Sequence, residues 1–145
     1  MNGSIAISSP QVPGAPQVLV APRVLLADDE PAMLAALRGL LEAAGYEVVG
    51  AVADGVSAVE EAVRLGPDVV LADLRMPGLT GIEVAAVLSE RAPGVAVAVL
   101  SAYDDVAVQV SAERSPVVAF LVKGCSSREI FHTIDSCVAP VLPAA

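Results

Sequence analysis

Pro67–Gly81 reads PDVVLADLRMPGLTG: an uninterrupted apolar run from Val69 to Ala72 that ends on an acid, Asp73, before the chain continues to Thr80. A strand that is apolar at every position must be covered on both faces, which is the condition of a parallel strand inside a layered α/β sheet. Thr80 is followed three residues later by Glu83, a capping box that opens a helix and contributes about 1 kcal/mol. The stretch is therefore one strand-to-helix unit with a carboxylate at the point where the strand gives out.

Four more runs of the same kind flank it: Val24–Ala27, Val48–Val52, Val95–Leu100 and Val117–Val122. Segments of helical period separate them, so the whole reads as (βα)5. The fold class this pattern selects is a flavodoxin-like, doubly wound parallel sheet with strand order 2-1-3-4-5. In the first helix Leu34, Leu37, Leu40 and Leu41 form one face, Arg38 and Glu42 face water, and Pro31 suits the first turn. In the second, Val56, Val59, Ala62 and Val63 are expected inward, with Glu60 and Arg64 as an outward i,i+4 pair. A fourth helix is expected over 104–114, weakly held because Val106 and Val110 are its one clear apolar pair. Ser126 and Glu129 read as a second capping box, opening a fifth helix.

The 145 residues suit a single domain, expected over residues 22–138, after a Ser/Pro/Gly-rich leader over 1–21 and before a tail or linker over 139–145. Over half the residues are hydrophobic and few are aromatic, which fits tightly packed layers rather than disorder. A formal net charge of −9 argues against direct binding to a nucleic-acid backbone, which needs clustered cations. No apolar run approaches the roughly 20 residues of a membrane span, and no basic residue precedes Arg23 in a leader broken by Pro10, Pro13 and Pro16. Cys125 and Cys137 are too few for a disulfide framework and, on one helix, too far apart to bond; a reduced, cytoplasmic protein is expected.

In open α/β sheets ligands bind beyond the carboxyl ends of the strands. Asp28 and Asp29 stand at the end of strand one, Asp73 at the end of strand three, Ser101 at the end of strand four and Lys123 at the end of strand five. Carboxylates crowded together require a cation or shifted pKa values. Oxygen-only ligands point to Mg²⁺ rather than Zn²⁺, whose His and Cys ligands are missing from this set. Lys123 is the single lysine beside seven arginines, which suggests that a compact ammonium is needed there. A solvated strand-end lysine is the bland alternative, and the convergence of four other polar residues argues against it.

Three segments, LLADDE (Leu25 to Glu30), PDVVLADLRMPGLTG and FLVKG (Phe120 to Gly124), resemble in order and spacing the diagnostic segments of the response regulator receiver domain of two-component signalling. The resemblance covers about Arg23 to Val138. It implies a phosphoprotein in which Asp73 accepts a phosphoryl group from a sensor histidine kinase, while Asp29, Asp73 and the Arg75 backbone carbonyl bind Mg²⁺ and Asp28 holds a metal-bound water. It further implies that Ser101 and Lys123 grip the phosphoryl oxygens, that Phe120 is the switch aromatic moving as Ser101 moves, and that Tyr103 tunes access. The expected readout and possible homodimer surface is the fourth helix, fifth strand and fifth helix.

Ser101-Ala102-Tyr103 and Lys123-Gly124 look like the LuxR/NarL-type subfamily of transcription regulators, without its helix-turn-helix output domain. Two departures are Ala119, where the family usually has Gly, and the turn ERSPVVA (Glu113 to Ala119). Two alternatives stand beside this reading. One is a phosphorylation-independent interaction module on the same fold. The other is a haloacid-dehalogenase-type phosphatase, whose chemistry needs an acid where Arg75 stands. His132 and Cys125 are expected to be ordinary surface and thiol residues, although the helix start after Cys125 could lower its pKa.

Overall fold

The computed structural model describes residues 20–102 and 115–138. Tyr103, the helix expected over 104–114, most of the leader and the tail over 139–145 fall outside the described residues. The elements are β1 (Arg23–Ala27), α1 (Pro31–Ala43), β2 (Glu47–Val52), α2 (Gly55–Leu65), β3 (Val69–Asp73), α3 (Gly81–Arg91), β4 (Ala96–Ser101), β5 (Ala119–Val122) and α4 (Ser127–Cys137), the last being the helix expected fifth. The five strands form one parallel sheet in the order β2-β1-β3-β4-β5. The fold class read from the sequence is the one observed.

Every residue of β3 is buried, as its unbroken apolar run requires. Alternate residues feed two cores. Leu25, Ala27, Val70, Ala72, Val97 and Val99 pack with α2 and α3 on one side. On the other, Val24, Leu26, Val69, Leu71, Ala98 and Leu100 pack with α1 and α4. Covered on both faces, the central strands present their ends for chemistry.

The first helix matches its expected face, with Leu37 and Leu41 buried, Pro31 in the first turn and Arg38 paired to Glu42 at 3.4 Å. The second differs. Its buried stripe is Gly55, Ala58, Val59 and Ala62, whereas Val56 and Val63 are 48% and 42% exposed. Small residues let α2 sit close to the sheet, which leaves the two bulkier valines on the rim. Arg64 also takes Glu61 rather than Glu60, through two hydrogen bonds of 3.0 and 2.6 Å. The guanidinium fork engages both oxygens of the carboxylate three residues back. Thr80 and Glu83 form the complete capping box. At α4 only the Ser126 hydroxyl accepting from the Glu129 N–H is made, and the return bond to the Ser126 backbone gives way to a hydroxyl-to-carboxylate contact of 3.4 Å.

Candidate acidic site at the strand ends

Asp28 follows β1 directly and is held by two backbone contacts. Its N–H donates to the Val52 carbonyl at 3.0 Å, and its Oδ1 accepts from the Glu30 N–H at 2.8 Å. Asp73 closes β3, where the next residue ties it laterally: the Leu74 N–H donates to the Leu100 carbonyl of β4 at 2.8 Å. Lys123 follows β5, and its N–H donates to the Ser101 carbonyl at 2.7 Å. Strand pairing thus carries four of the five expected residues to one end of the sheet, and Asp29, next after the buried Asp28, is exposed.

The acids do meet. Carboxylate oxygens of Asp28, Asp29 and Asp73 lie within 4.8 Å of one another. Lys123 Nζ donates to Asp73 Oδ2 at 3.0 Å and stands 3.6 Å from Asp28 Oδ2. The second distance is too long for a hydrogen bond, so the buried Asp28 Oδ2 is left without a hydrogen-bond partner. At an effective dielectric near 20, two carboxylates 4.8 Å apart repel by about 3.5 kcal/mol. Among the described residues, the one ammonium in contact with these three acids does not balance their charge. Burial pushes the Asp28 carboxyl above its usual range, the Glu30 N–H opposes this, and the Asp73 charge adds to it. For Lys123, burial alone would lower the pKa, but the hydrogen bond to Asp73 and the charges of Asp73, Asp28 and Glu30 outweigh it and raise it.

A hard divalent cation fits this donor set. It would satisfy the orphaned Asp28 oxygen and relieve the repulsion, with oxygen ligands of the kind Mg²⁺ takes. Arg75 is exposed, and its backbone N–H points back to Asp73 Oδ1 at 3.4 Å. The acid a dehalogenase-type phosphatase requires at that position is therefore not there. Ser101 is buried at the end of β4, 6% exposed. Phe120 is partly buried against the α2/α3 core and pairs in register with Val99. Tyr103 lies outside the described residues.

His132 is exposed, as expected. Cys125 agrees with the expectation of an ordinary thiol rather than one activated by the helix start: burial raises its pKa, and the neighbouring Glu129 charge adds to the effect. Two glycines that shape the site escaped sequence reasoning. A Cβ on Gly81 would lie 2.8 Å from the Asp73 carbonyl oxygen, and one on Gly55 would meet Leu79. The signal available was a glycine at the first helical position, twice, where better helix formers are the rule.

Comparison with known proteins gives a consistent result. The family model described as response regulator receiver domain matches residues 24–135. The chain is 31% identical over 117 residues to the uncharacterized transcriptional regulatory protein YesN of Bacillus subtilis, covering 79% of this chain but 32% of YesN. It is 35% identical over 111 residues to the chemotaxis protein CheY of Thermotoga maritima, covering 77% of this chain and 92% of CheY. The signal receiver domain of the putative response regulator NarL from Mycobacterium tuberculosis superposes with a TM-score of 0.77 at 33% identity, over 81% of this chain and 95% of that one. The chain spans about a third of the length of YesN.

Proposed function

We propose, since this chain belongs to the response regulator receiver domain family, that Asp73 is the residue that accepts a phosphoryl group, drawn from the phosphohistidine of a sensor histidine kinase. The observation that carries the reading is the contact of Lys123 Nζ with Asp73 Oδ2 at 3.0 Å, inside a cluster of three acids. A single ammonium held on the acceptor carboxylate is the arrangement that phosphoryl transfer needs, because the reaction asks the protein for positioning and charge neutralisation more than for covalent chemistry.

In the step itself a carboxylate oxygen of Asp73 forms the new O–P bond as the donor's P–N bond breaks, and the imidazole leaves. Lys123 stays beside the incoming oxygens and offsets their charge. Ser101, next along from the residue that pairs with Asp73, donates its hydroxyl to one of them. Asp28, Asp29, Asp73 and the Arg75 carbonyl would hold Mg²⁺, which when bound neutralises charge on the transferring group. The unit that performs this spans residues 22–138, and we place it in the cytoplasm, in keeping with two free thiols and, among the described residues, no helix long and apolar enough to cross a membrane.

Movement of Ser101 toward the phosphoryl group would vacate space that Phe120 can enter, since Phe120 lies beside Val99 one strand away. Tyr103, two residues after Ser101 in the sequence, would tune access. The readout surface, and a homodimer contact, is assigned to β5 and α4, where Val122 and the adjoining Val118 are 44% and 54% exposed; the helix expected over 104–114 lies outside the described residues. The test is the mass of the intact chain after incubation with a small acyl-phosphate donor. One phosphoryl group is expected with Mg²⁺, none with chelator, and none on Asp73→Asn; uptake that ignores both Mg²⁺ and the substitution would refute the reading.

A further inference from the structure

The turn that joins β2 to α2, from Val52 to Gly55, touches both halves of the acidic site, although it contributes no ligand to it. At one end the Val52 carbonyl accepts the Asp28 N–H at 3.0 Å. At the other, the Gly55 N–H donates to the Pro77 carbonyl at 3.0 Å, two residues beyond Arg75. The approach there is close enough to exclude a side chain: a Cβ on Gly55 would lie 2.5 Å from Leu79 Cβ and nearer still to the Leu79 carbonyl oxygen. Gly78, with φ +84°, brings the loop against Val56 from the other side, so that a Cβ on it would be 3.3 Å from Val56 Cγ2. Between its ends the turn is locked by Asp54, which accepts from the Ser57 N–H at 2.7 Å and the Ser57 hydroxyl at 3.0 Å.

We propose that this turn, Val52–Gly55, is a positioning brace that sets the spacing between Asp28 and the loop carrying the Arg75 carbonyl, and so sets the affinity of the site for Mg²⁺. Gly55 and Asp54 are its positioning residues. Gly55 permits the loop to seat on the first turn of α2, and Asp54 holds that turn in place. A methyl group at Gly55 must push the Pro77–Leu79 segment outward, because the atoms it meets are backbone and Cβ rather than the end of a flexible side chain. The inference rests on the Mg²⁺ reading of the acid cluster.

The experiment is an Mg²⁺ titration of the full chain, without phosphodonor, followed through amide chemical shifts around Asp28 and Asp73. Gly55→Ala and Asp54→Ala are each expected to weaken Mg²⁺ about tenfold, the scale on which supporting contacts act on ligands. Asp54→Asn removes the same charge but caps as well as Asp, and should stay within about twofold of wild type. Ile134→Val, in the opposite core, serves as a destabilised variant whose Mg²⁺ affinity should not move. Should Gly55→Ala fail to fold, the Asp54 pair decides. Affinities unchanged in Asp54→Ala, or lost equally in Asp54→Asn, overturn the brace while leaving the site reading intact. A wild-type chain that takes up no Mg²⁺ overturns both.

Discussion

Asp28 carries the clearest cost at the scale of single residues. It is 1% exposed, one of its oxygens lacks a hydrogen-bond partner, and burial holds its carboxyl above the usual range. An amide in its place sheds that cost, so Asp28→Asn is expected to stabilise the metal-free chain by about 1 kcal/mol in urea unfolding, the scale of an unmade buried hydrogen bond. The same variant should lose Mg²⁺ affinity. A less stable variant would mean that Lys123 depends on Asp28 more than 3.6 Å allows. The acids and Lys123 were legible in the sequence because each ends an apolar run, and parallel strands bring such ends to one end of the sheet. Gly55 was not legible, since its role exists only where α2 meets a loop more than twenty residues further on.

Elements add constraints that residues alone do not reveal. The first turn of α3 presses on the end of β3: the Gly81 N–H donates to the Leu74 carbonyl at 3.0 Å, and a Cβ on Gly81 would lie 2.8 Å from the Asp73 carbonyl oxygen and 3.1 Å from Val99 Cγ2. Gly81→Ala is expected to destabilise by about 1 to 3 kcal/mol, as overpacking does. Gly39, inside α1 with nothing within 4 Å of its would-be Cβ, gives the opposite sign. Gly39→Ala should stabilise by about 0.5 to 1 kcal/mol through helix propensity. Urea midpoints of the two variants check both signs. The strands were read to within two residues at each end, because buried parallel strands advertise themselves as continuous apolar runs. The face of α2 was half read: Val59 and Ala62 are buried as expected, but Val56 and Val63 give way to Gly55 and Ala58, because close approach to the sheet favours the smaller side chain.

Across the whole molecule, the α1/α4 core is fastened at its rim by Tyr46, which stacks on Phe131 at 5.5 Å between ring centroids and donates its hydroxyl to Asp135 at 2.7 Å. Burial, then the hydrogen bond and charge of Asp135, push its pKa up to about 12 from an ordinary 10. A group whose folded pKa is raised contributes its full stability below the unfolded value and loses it as pH climbs through the folded one. Wild type should therefore shed stability between about pH 10 and 12 in thermal melts, and Tyr46→Phe should lack that component. Parallel profiles would show that the phenol is not held as the geometry implies. Nothing in the sequence pattern pairs Tyr46 with Asp135, because the contact joins a turn to a helix 89 residues away.

The two cores and the sheet between them hold Asp73 and Lys123 in contact at 3.0 Å, and the proposed function makes Asp73 the acceptor. Borohydride reduces an aspartyl phosphate to homoserine, so peptide mapping of the chain after donor, Mg²⁺ and borohydride locates the acceptor. Homoserine at position 73 alone is the expected result; homoserine at Asp28, at Asp29 or nowhere would contradict the account.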